Sequence, residues 1–341
     1  MLSVKVKLKN AEKVKTYLFK NGLFNKDYKF LKIKDSIFFP ITSKGNLEKK
    51  FSEIKLIDKK FEKHENKQKL KDFLEKKLTK KELGLVKRSF DVVGDIAIIE
   101  VPKELVKKQK SIAQILINQH KNIKVVLKKS SIHEGTFRTQ KLQHIAGEKR
   151  KETIYKENQV SIKLDVEKVY FSARLSTERK RIAELVKKNE EVLVMFSGCG
   201  IYPVVISKNT SAKNITGIEI NPIGHKYALK NIELNKINNV TFIQGDVRKK
   251  YLSLKQKFDR ILMPLPMGAE EYLDIALKLS KPKAVVHFYD FLDERNFPKE
   301  SVDKVKKACI KYKKKCKIKK SIKCGQYSPM KYRVCIDFIV S

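Results

Sequence analysis

Residues 191–200 spell Glu-Val-Leu-Val-Met-Phe-Ser-Gly-Cys-Gly, an apolar run that ends in two glycines, Gly198 and Gly200. The buried strands of parallel sheets have this nearly continuous apolar texture. Glycines after such a strand allow a sharp turn into a helix and a close approach of the backbone to a ligand. The stretch therefore predicts the first strand of an α/β sheet with a ligand loop at its carboxyl end.

Strand and helix patterns alternate from about Ser176 onward, which is typical of a doubly wound, parallel-type sheet. The predicted strands are Glu191–Phe196, Asn214–Ile220, Val240–Gln244, Arg260–Met263 and Ala284–Tyr289, and the predicted helices include Gly224–Asn235 and Glu270–Leu279.

Acidic residues stand at the ends of the next two predicted strands. Glu219 lies in Gly-Ile-Glu-Ile-Asn-Pro, and a carboxylate there suits the two hydroxyl donors of a ribose. Asp246, in Gly-Asp-Val, can accept a hydrogen bond from an adenine amino group. A Gly-x-Gly turn alone is equally explained as a tight connection between a strand and a helix. Three neighbouring strand ends that each carry ligand-suited residues favour a nucleoside site.

The nucleoside is expected to carry no phosphate. The pattern GxGxxG is incomplete because residue 203 is Pro203, and no GxxxxGK[ST] motif occurs in the sequence. A dinucleotide-binding enzyme is the rival interpretation, but the missing phosphate motifs make S-adenosylmethionine the better-fitting ligand.

The fourth predicted strand ends in Met-Pro-Leu-Pro-Met-Gly, with Pro264 and Pro266 on either side of one residue. Two prolines fix φ and leave carbonyls unpaired. We expect a substrate base to lie there, with Pro264 also near the cofactor. The alternative is a rigid loop without contacts.

The first half of the chain has a different texture and predicts two smaller α+β domains. Three domains are expected, over residues 1–65, 66–165 and 166–341. The predicted elements of the first half are a strand at Ser3–Leu8, a helix at Ala11–Asn21, a strand at Ser36–Pro40, a helix with linker over Lys59–Lys81, a strand pair over Phe90–Pro102 broken at Gly94-Asp95, a helix at Lys103–Gln119, and strands at Lys124–Lys128, Ser161–Leu164 and Lys168–Phe171.

Charge is the strongest compositional signal. The 341 residues include 77 Lys and Arg against 38 Asp and Glu, a formal charge of +39. A polyanion partner gives such an excess a use, because each neutralised phosphate releases counterions. Compositional drift toward lysine is the alternative. A membrane surface fits less well, because the lysines are spread along the chain.

Other features favour a cytoplasmic enzyme without a metal. The 41% of hydrophobic residues can form a core. The sequence has no apolar run of the roughly 18 residues that a membrane helix needs, and its start lacks a secretory signal. Its five cysteines form no CxxC pair, so we expect reduced thiols and no zinc site.

An ordered set of motifs resembles the archaeal and eukaryotic tRNA (guanine-37 N1)-methyltransferases, and especially their archaeal wyosine-pathway branch. The set comprises Tyr-Phe-Ser-Ala-Arg-Leu-Ser-Thr-Glu-Arg at 170–179, Met-Phe-Ser-Gly-Cys-Gly at 195–200, Gly-Ile-Glu-Ile-Asn-Pro at 217–222, Gly-Asp-Val-Arg at 245–248, Pro-Leu-Pro at 264–266 and Gly-Gln-Tyr-Ser-Pro-Met-Lys-Tyr at 325–332. The resemblance covers roughly residues 85 to 341. It implies a class I methyltransferase domain that uses S-adenosylmethionine and acts on the purine at tRNA position 37.

The resemblance also implies roles for individual residues. It places Arg138 and Glu178 at the chemistry and Tyr170 and Arg174 beside the target nucleotide. The residues that it places around the methyl donor are Arg179, Phe196, Glu219, Ile220, Asp246 and Val247. It further implies a monomer whose first domain contacts the tRNA body. DNA is not an expected partner.

The chemistry needs residues of these types. Guanine N1 carries a proton, and a carboxylate within hydrogen-bond reach that removes it typically contributes about 10²–10⁴-fold. Negative charge then develops on O6, where a guanidinium stabilises it. Glu178 therefore suits a base and Arg138 an oxyanion partner.

Each of these residues has a plainer interpretation. Glu178 follows Ser176 and can simply complement a helix N-terminus. Arg138 can bind a phosphate, Tyr170 can be a core residue, and Arg174 can be a surface charge.

Two positions depart from the family pattern. Val194 stands where many members have Asp, and Pro264 stands where many have Asn. An Asn amide can both donate to and accept from a guanine edge, whereas proline offers only its carbonyl. A roomier pocket suits a tricyclic base, so both N1 of guanosine and C7 of 4-demethylwyosine (imG-14) are expected targets. A basic RNA-binding or assembly protein with a degenerate methyltransferase fold is the alternative function, and a small-molecule methyltransferase is a third.

Overall fold

The structure is a computed structural model that describes residues 1–63, 74, 75, 77–86, 89–265 and 267–341. It contains two compact units, Met1–Phe73 and Leu74–Ser341. The predicted division into three domains stays a prediction. Residues 64–73 and 76 of the predicted helix and linker over Lys59–Lys81 lie outside the described residues.

The first unit is a four-stranded antiparallel sheet covered by a helix. Val4 and Val6 alternate along the first strand and are buried, while Val14 and Leu18, four residues apart, place one face of the helix on them. The strand order is β2-β3-β1-β4. The elements are β1 (Leu2–Lys7), α1 (Ala11–Lys20), β2 (Leu31–Ile33), β3 (Ser36–Pro40), α2 (Leu47–Lys50) and β4 (Lys55–Asp58).

The second unit begins with a smaller mixed sheet of order β5-β6-β7-β8, in which only the central pair is parallel. Its first helix starts with a capping box, in which Thr79 and Glu82 each bind the other's backbone N–H. The elements are α3 (Lys80–Leu85), β5 (Asp91–Val93), β6 (Ile96–Ile99), α4 (Gln109–Gln119), β7 (Val125–Lys129), β8 (Leu142–Gly147) and the hairpin of β9 (Glu152–Glu157) and β10 (Val160–Asp165).

A seven-stranded sheet forms the rest of the second unit, in the order β13-β12-β11-β14-β15-β17-β16. The first five strands are parallel, and the last two are antiparallel. The elements are α5 (Ser176–Leu185), β11 (Glu191–Met195), α6 (Ile201–Asn209), β12 (Asn214–Glu219), α7 (Pro222–Leu234), β13 (Val240–Gln244), α8 (Val247–Lys250), β14 (Phe258–Met263), α9 (Leu273–Leu279), β15 (Ser280–Asp293), α10 (Lys299–Lys311), β16 (Cys316–Ser328) and β17 (Lys331–Val340).

The predicted α/β class is confirmed, and so are the five predicted strands of the large sheet. All residues of β11 are buried, because the sheet is covered on both faces. The sequence analysis did not identify β16 and β17, the antiparallel hairpin that extends the sheet. No helix among the described residues is long and apolar enough to cross a membrane.

One strand prediction was wrong. Lys168–Phe171 forms a turn and a loop, although its residues are apolar enough for a strand. The Asp165 carboxylate accepts hydrogen bonds from the backbone N–H groups of Glu167 at 2.9 Å and Lys168 at 3.1 Å. This side-chain turn ends β10 before the apolar residues begin.

Candidate active site

A cleft of about 1100 Å³, open to solvent, lies at the carboxyl ends of β11, β12, β13 and β14. Ligands of open α/β sheets bind at this edge, where the strand order reverses. The cleft is lined by most of the residues that the sequence predicted for the site, namely Arg138, Tyr170, Arg179, Phe196, Gly198, Glu219, Ile220, Asp246, Val247 and Pro264. The sequence therefore located the cleft.

The glycine loop connects β11 to α6. Gly198 and Gly200 have φ angles of 58° and 81°, which glycine adopts at no steric cost. A Cβ on Gly200 would lie 2.6 Å from the ring of Phe242 and 3.0 Å from the Cβ of Ala228. Gly200 does not line the cleft, so its predicted role is indirect: it lets α6 start against these two side chains.

Glu219 is the most constrained group in the cleft. One of its oxygens accepts from the backbone N–H of Gly198 at 2.6 Å, and the other accepts from that of Asn221 at 2.7 Å. Burial raises the pKa of Glu219, while these N–H donors act to lower it. The carboxylate links the glycine loop to the end of β12 and retains lone pairs for a ligand's hydroxyl donors.

Asp246 lies at the end of β13 and caps α8, where its Oδ1 accepts from the backbone N–H of Arg248 at 2.8 Å. The ring of Phe196 meets that of Tyr272 edge to face, with centroids 4.8 Å apart. The guanidinium of Arg248 lies 4.6 Å from the centre of the Tyr272 ring. Asp246 lines the same cleft as the rings of Phe196 and Tyr272. These two rings form an aromatic wall that a flat heterocycle can contact.

Arg138 bridges two loops of the cleft. It belongs to the connection between β7 and β8, and its Nη2 donates to the carbonyl oxygen of Met267 at 2.7 Å. Met267 follows β14 in the loop that contains Pro264. Pro264 lines the cleft, whereas Pro266 lies outside the described residues.

The two residues predicted to contact the nucleotide lie in different places. Tyr170 lines the cleft, where its hydroxyl accepts from Nη2 of Arg333 at 2.7 Å. Arg174 does not line the cleft. Its guanidinium forms an ion pair with Asp91 at 2.7 Å, and more than half of its side chain is exposed.

Arg179 is a buried charge in the cleft wall. Its Nε and Nη2 donate to the two oxygens of Glu157, each at 2.5 Å, and both side chains are only 2% exposed. Its Nη1 donates to the carbonyl of Ser172 at 3.1 Å. Arg179 therefore holds the loop before α5 against the β9–β10 hairpin, although it was predicted to contact the cofactor.

Glu178 does not line the cleft. Its carboxylate accepts from Arg181 through Nε and Nη2, both at 2.7 Å, and from the hydroxyl of Tyr289 at 2.7 Å. The Tyr289 hydroxyl accepts from that of Tyr202 at 3.2 Å, and Tyr202 is part of the cleft wall. Glu178 thus lies behind the wall and is linked to it through two tyrosines.

Comparison with known families matches nearly the whole chain. The model of the TRM5/TYW2 methyltransferase domain matches residues 153–319, that of the TYW2 N-terminal domain matches residues 70–150, and that of the tRNA methyltransferase 5 N-terminal domain matches residues 3–46. Over its full length the chain is 36% identical to tRNA (guanine(37)-N(1))-methyltransferase Trm5b of Pyrococcus abyssi, covering 99% of that protein. The chain belongs to the Trm5/TYW2 family.

Other Trm5/TYW2 proteins agree in fold and sequence. The crystal structure of the P. abyssi Trm5b matches with a TM-score of 0.75 at 35% identity, covering 100% of this chain and 99% of that one. A complex of aTrm5 and tRNALeu matches with a TM-score of 0.72 at 32% identity, with full coverage of both chains. The tRNA (guanine(37)-N(1))/4-demethylwyosine(37)-methyltransferase Taw22 of Nanoarchaeum equitans is 34% identical over 63% of this chain and 89% of its own length.

The cofactor of this Trm5/TYW2 enzyme is S-adenosylmethionine. The cleft fits it: Glu219 offers acceptors to a ribose, the wall of Phe196 and Tyr272 is apolar, and the backbone N–H groups of Ser197, Gly198 and Gly200 are bound within the protein. The resemblance found in the sequence is therefore confirmed at the level of family, fold and cofactor.

Among the described residues, one group has the composition of a metal site. It consists of His287, Cys335 and Asp337, whose ligand atoms lie within 4.8 Å of one another. Arg181 donates to Asp337 at 2.7 Å, and Arg260 contacts Nε2 of His287 at 2.7 Å. Because two guanidinium groups already occupy this site, it does not suit a cation.

Sequence reasoning missed several residues of the cleft wall: Thr136, Phe137, Phe171, Tyr202, Leu265 and Tyr272. Phe137 and Phe171 are direct neighbours of predicted residues, so the motifs carried a signal for them. Tyr272 stands beyond the loop after β14, outside every motif, and no pattern in the sequence could have indicated it.

Proposed function

We propose that this protein transfers a methyl group from S-adenosylmethionine to N1 of guanosine 37 in tRNA. The observation that carries this proposal is the full-length match to a tRNA (guanine(37)-N(1))-methyltransferase, combined with a cleft that keeps the predicted donor-binding residues together. In this reaction N1 gains the methyl carbon, the bond from that carbon to sulfur breaks, and the N1 proton passes to a base.

The chain's own residues bind the donor and handle charge. When bound, S-adenosylmethionine supplies a methyl group activated by its sulfonium. Glu219 and Asp246 accept hydrogen bonds from the nucleoside part, as their places at the ends of β12 and β13 favour. Ile220, Val247 and Phe196 pack around it.

Arg138 is the proposed partner of the developing charge on O6. A guanidinium at the rim of the cleft can reach a base that enters from solvent. In the structure it donates a hydrogen bond to the carbonyl oxygen of Met267, and O6 of guanine is also a carbonyl oxygen. Tyr170, Pro264 and Pro266 are proposed to lie beside the base, with Arg174 near the backbone of the RNA.

Glu178 is the proposed acceptor of the N1 proton. In the described arrangement both of its oxygens are bound by Arg181, and one of them also by Tyr289. Direct contact with a guanine therefore requires the carboxylate to leave Arg181. Because of this rearrangement, the proposed role of Glu178 as a base is tested first.

C7 of 4-demethylwyosine at the same position is the second candidate target. Two observations favour it: Taw22, whose name gives both targets, is 34% identical to this chain, and the cleft wall has Pro264 where an amide side chain would read a guanine edge. The tricyclic base and guanosine would enter the same cleft.

The proposed partner is tRNA, bound at its anticodon loop by a cytoplasmic monomer. The charge of +39 supports binding to RNA backbone. Residues 1–65 are proposed to be a separate domain that contacts the tRNA body, while residues 66–165 and 166–341 form the middle and methyltransferase domains.

A methylation assay with three tRNA preparations tests the function. One preparation carries unmodified guanosine at position 37, the other carries the tricyclic intermediate, and a third with adenosine there is the control. Mass analysis of the nucleosides is expected to show 1-methylguanosine from the first and no product from the third. Methylation at another position, or none, would refute the proposal.

Equilibrium dialysis with labelled S-adenosylmethionine distinguishes the methyltransferase from the alternative, an RNA-binding or assembly protein without activity. Saturable binding that Glu219→Gln weakens is expected. Absence of saturable binding, together with salt-sensitive tRNA binding, would favour the alternative.

A further inference from the structure

Two aromatic side chains contact each other near the tip of the hairpin formed by β16 and β17. The rings of Phe291, on β15, and Tyr327, on β16, have centroids 4.4 Å apart and planes inclined by 35°. Tyr327 is the outer ring and is 60% exposed. The exposed ring offers a face on which another flat ring can stack.

Arg333 connects this pair to the cleft. The carbon of its guanidinium lies 5.2 Å from the centre of the Phe291 ring, while its Nη2 donates to the hydroxyl of Tyr170. Tyr170 lines the cleft. Contacts therefore run from the cleft wall through Arg333 and Phe291 to the exposed ring of Tyr327.

Arg333 is a buried support for this pair. The residue is 8% exposed, and its Nε is buried without a hydrogen-bond partner among the described residues. A ligand on the surface therefore does not reach Nε, and Arg333 acts by placing its positive charge against the ring of Phe291.

The sheet leaves room for such a ligand. Phe291, Arg333 and Gly325 lie directly opposite one another on β15, β17 and β16, so their side-chain positions share one face. A Cβ on Gly325 would meet no atom within 4 Å. The face is therefore open next to Arg333.

The charge around this face suits RNA. Between Cys316 and Ile336 the chain contains no acidic residue, and its basic residues are Lys317, Lys319, Lys320, Lys323, Lys331 and Arg333. Lys323 is paired with Glu294 at 2.6 Å. Lys331 lies opposite Ser328, beside Tyr327, and is exposed. A lysine beside an exposed aromatic ring is a combination by which proteins bind unpaired nucleotides.

We propose that Phe291, Gly325, Tyr327 and Arg333, here termed the hairpin platform, bind an unpaired nucleotide adjacent to the target nucleotide of the RNA. Its base stacks on Tyr327, and Lys331 at the tip of the hairpin neutralises its phosphate. The inference rests on the proposed function, since it names the part of the substrate that holds the loop while the target base occupies the cleft.

Fluorescence of 2-aminopurine, which is quenched by stacking, tests the platform. The probe is placed at position 36 in one tRNA and at position 38 in another, and each is titrated with wild type, Tyr327→Phe and Tyr327→Ala. Leu252→Ala, which alters a residue 74% exposed elsewhere in the same unit, is the control. Equal melting temperatures verify that all variants are folded.

At one of the two positions, the bound probe is expected to fluoresce less with wild type, Tyr327→Phe and Leu252→Ala than with Tyr327→Ala. Loss of one stacked base should raise the KM for tRNA about tenfold in Tyr327→Ala, within the range known for such contacts. The turnover at saturating tRNA and the affinity for S-adenosylmethionine should stay within about twofold of wild type.

The possible failures are distinguishable. Equal fluorescence of Tyr327→Ala and wild type at both positions, with equal KM, overturns the platform even if the wild type methylates tRNA. Stacking that depends on Tyr327, without methyl transfer to position 37, refutes the proposed function and supports the platform. A wild type that does not bind tRNA overturns both the proposed function and the platform. The exposed ring of Tyr327 would then indicate a surface for a protein partner.

Discussion

Glu178 and Arg181 form a two-pronged ion pair within α5: Nε of Arg181 donates to one carboxylate oxygen of Glu178 and Nη2 to the other, both at 2.7 Å. The residues are three positions apart, so one helical turn brings them together. Because the Glu178 side chain is 4% exposed, water does not screen the pair. The side chain of the proposed base is thus restrained by a neighbour on its own helix.

Replacement of Glu178 by Gln tests its role as a base. The amide cannot accept the N1 proton, so we expect turnover to fall at least about tenfold, the lower part of the range for general bases. The affinity for S-adenosylmethionine should stay nearly unchanged. Rapid-quench methylation and equilibrium dialysis measure the two quantities.

Glu184→Gln is the matched control, because Glu184 lies on the same helix with its side chain 65% exposed. Glu178→Asp separates a base from a structural residue. If Glu178 accepts the proton, the shorter carboxylate should restore part of the turnover that Glu178→Gln loses. Equal losses in the two variants would make Glu178 a positioning residue, and an unchanged turnover would remove it from the chemistry.

Glu219 should make the binding of S-adenosylmethionine depend on pH. Burial raises its pKa above the ordinary value near 4.5, and only the carboxylate can accept from both ribose hydroxyls. The affinity is therefore full at neutral pH and weakens as the pH falls through the raised pKa. Isothermal titration at several pH values between about 5 and 8 measures this dependence.

Glu219→Gln should bind the donor weakly at neutral pH and lose most of the pH dependence. Glu233→Gln, an exposed position on the neighbouring α7, controls for the loss of one carboxylate. An affinity of Glu219→Gln equal to that of the wild type at neutral pH would mean that Glu219 does not contact the donor.

The sequence predicted those parts of the site that depend on local pattern. Buried strands, glycine turns and acids at strand ends are set by neighbouring residues, and they placed Gly198, Glu219 and Asp246 correctly at one sheet edge. The resemblance identified the family and added Arg138, which comes from a different sheet.

The orientation of long charged side chains could not be predicted. Arg174 pairs with Asp91, which is 83 residues away, and Arg181 joins Glu178 to Asp337 across 156 residues. Such pairs depend on which strands become neighbours, and no local spacing indicates them. For the same reason the motif did not show that Glu178 would lie behind the cleft wall.

Breaking the buried pair of Glu157 and Arg179 should destabilise the protein strongly. Both side chains are 2% exposed, so Glu157→Gln leaves a guanidinium buried without its counterion. The removal of one partner of such a pair costs roughly 3–5 kcal/mol. We expect a clear fall in the urea midpoint, measured by circular dichroism.

The exposed pair of Lys180 and Glu184 provides the comparison. Its atoms are 3.9 Å apart and both side chains are about two-thirds exposed, so Glu184→Gln should change stability by less than about 0.5 kcal/mol. Equal midpoints for Glu157→Gln and Glu184→Gln would show that the buried pair contributes no more than a surface one.

Arg138→Ala should lower turnover at least about tenfold while the affinity for S-adenosylmethionine changes less than twofold, because the guanidinium is proposed to stabilise charge that appears only in the transition state. Single-turnover methylation at saturating tRNA measures the first quantity. Arg138→Lys keeps the positive charge and a donor for the carbonyl of Met267 but loses the planar fork, so its turnover should lie between those of Arg138→Ala and the wild type.

Arg295→Ala, which removes an exposed guanidinium paired with the nearby Asp293, is the control for lost charge. A rise in the KM for tRNA without a change in turnover would indicate that Arg138 binds a phosphate. Wild-type values for both quantities would leave it only its bond to Met267. A lowered turnover at saturating tRNA indicates a charge that acts on the reacting base, because only such a charge changes the chemical step once the substrate is bound. Either of the other two results indicates a charge that holds the RNA or the loop.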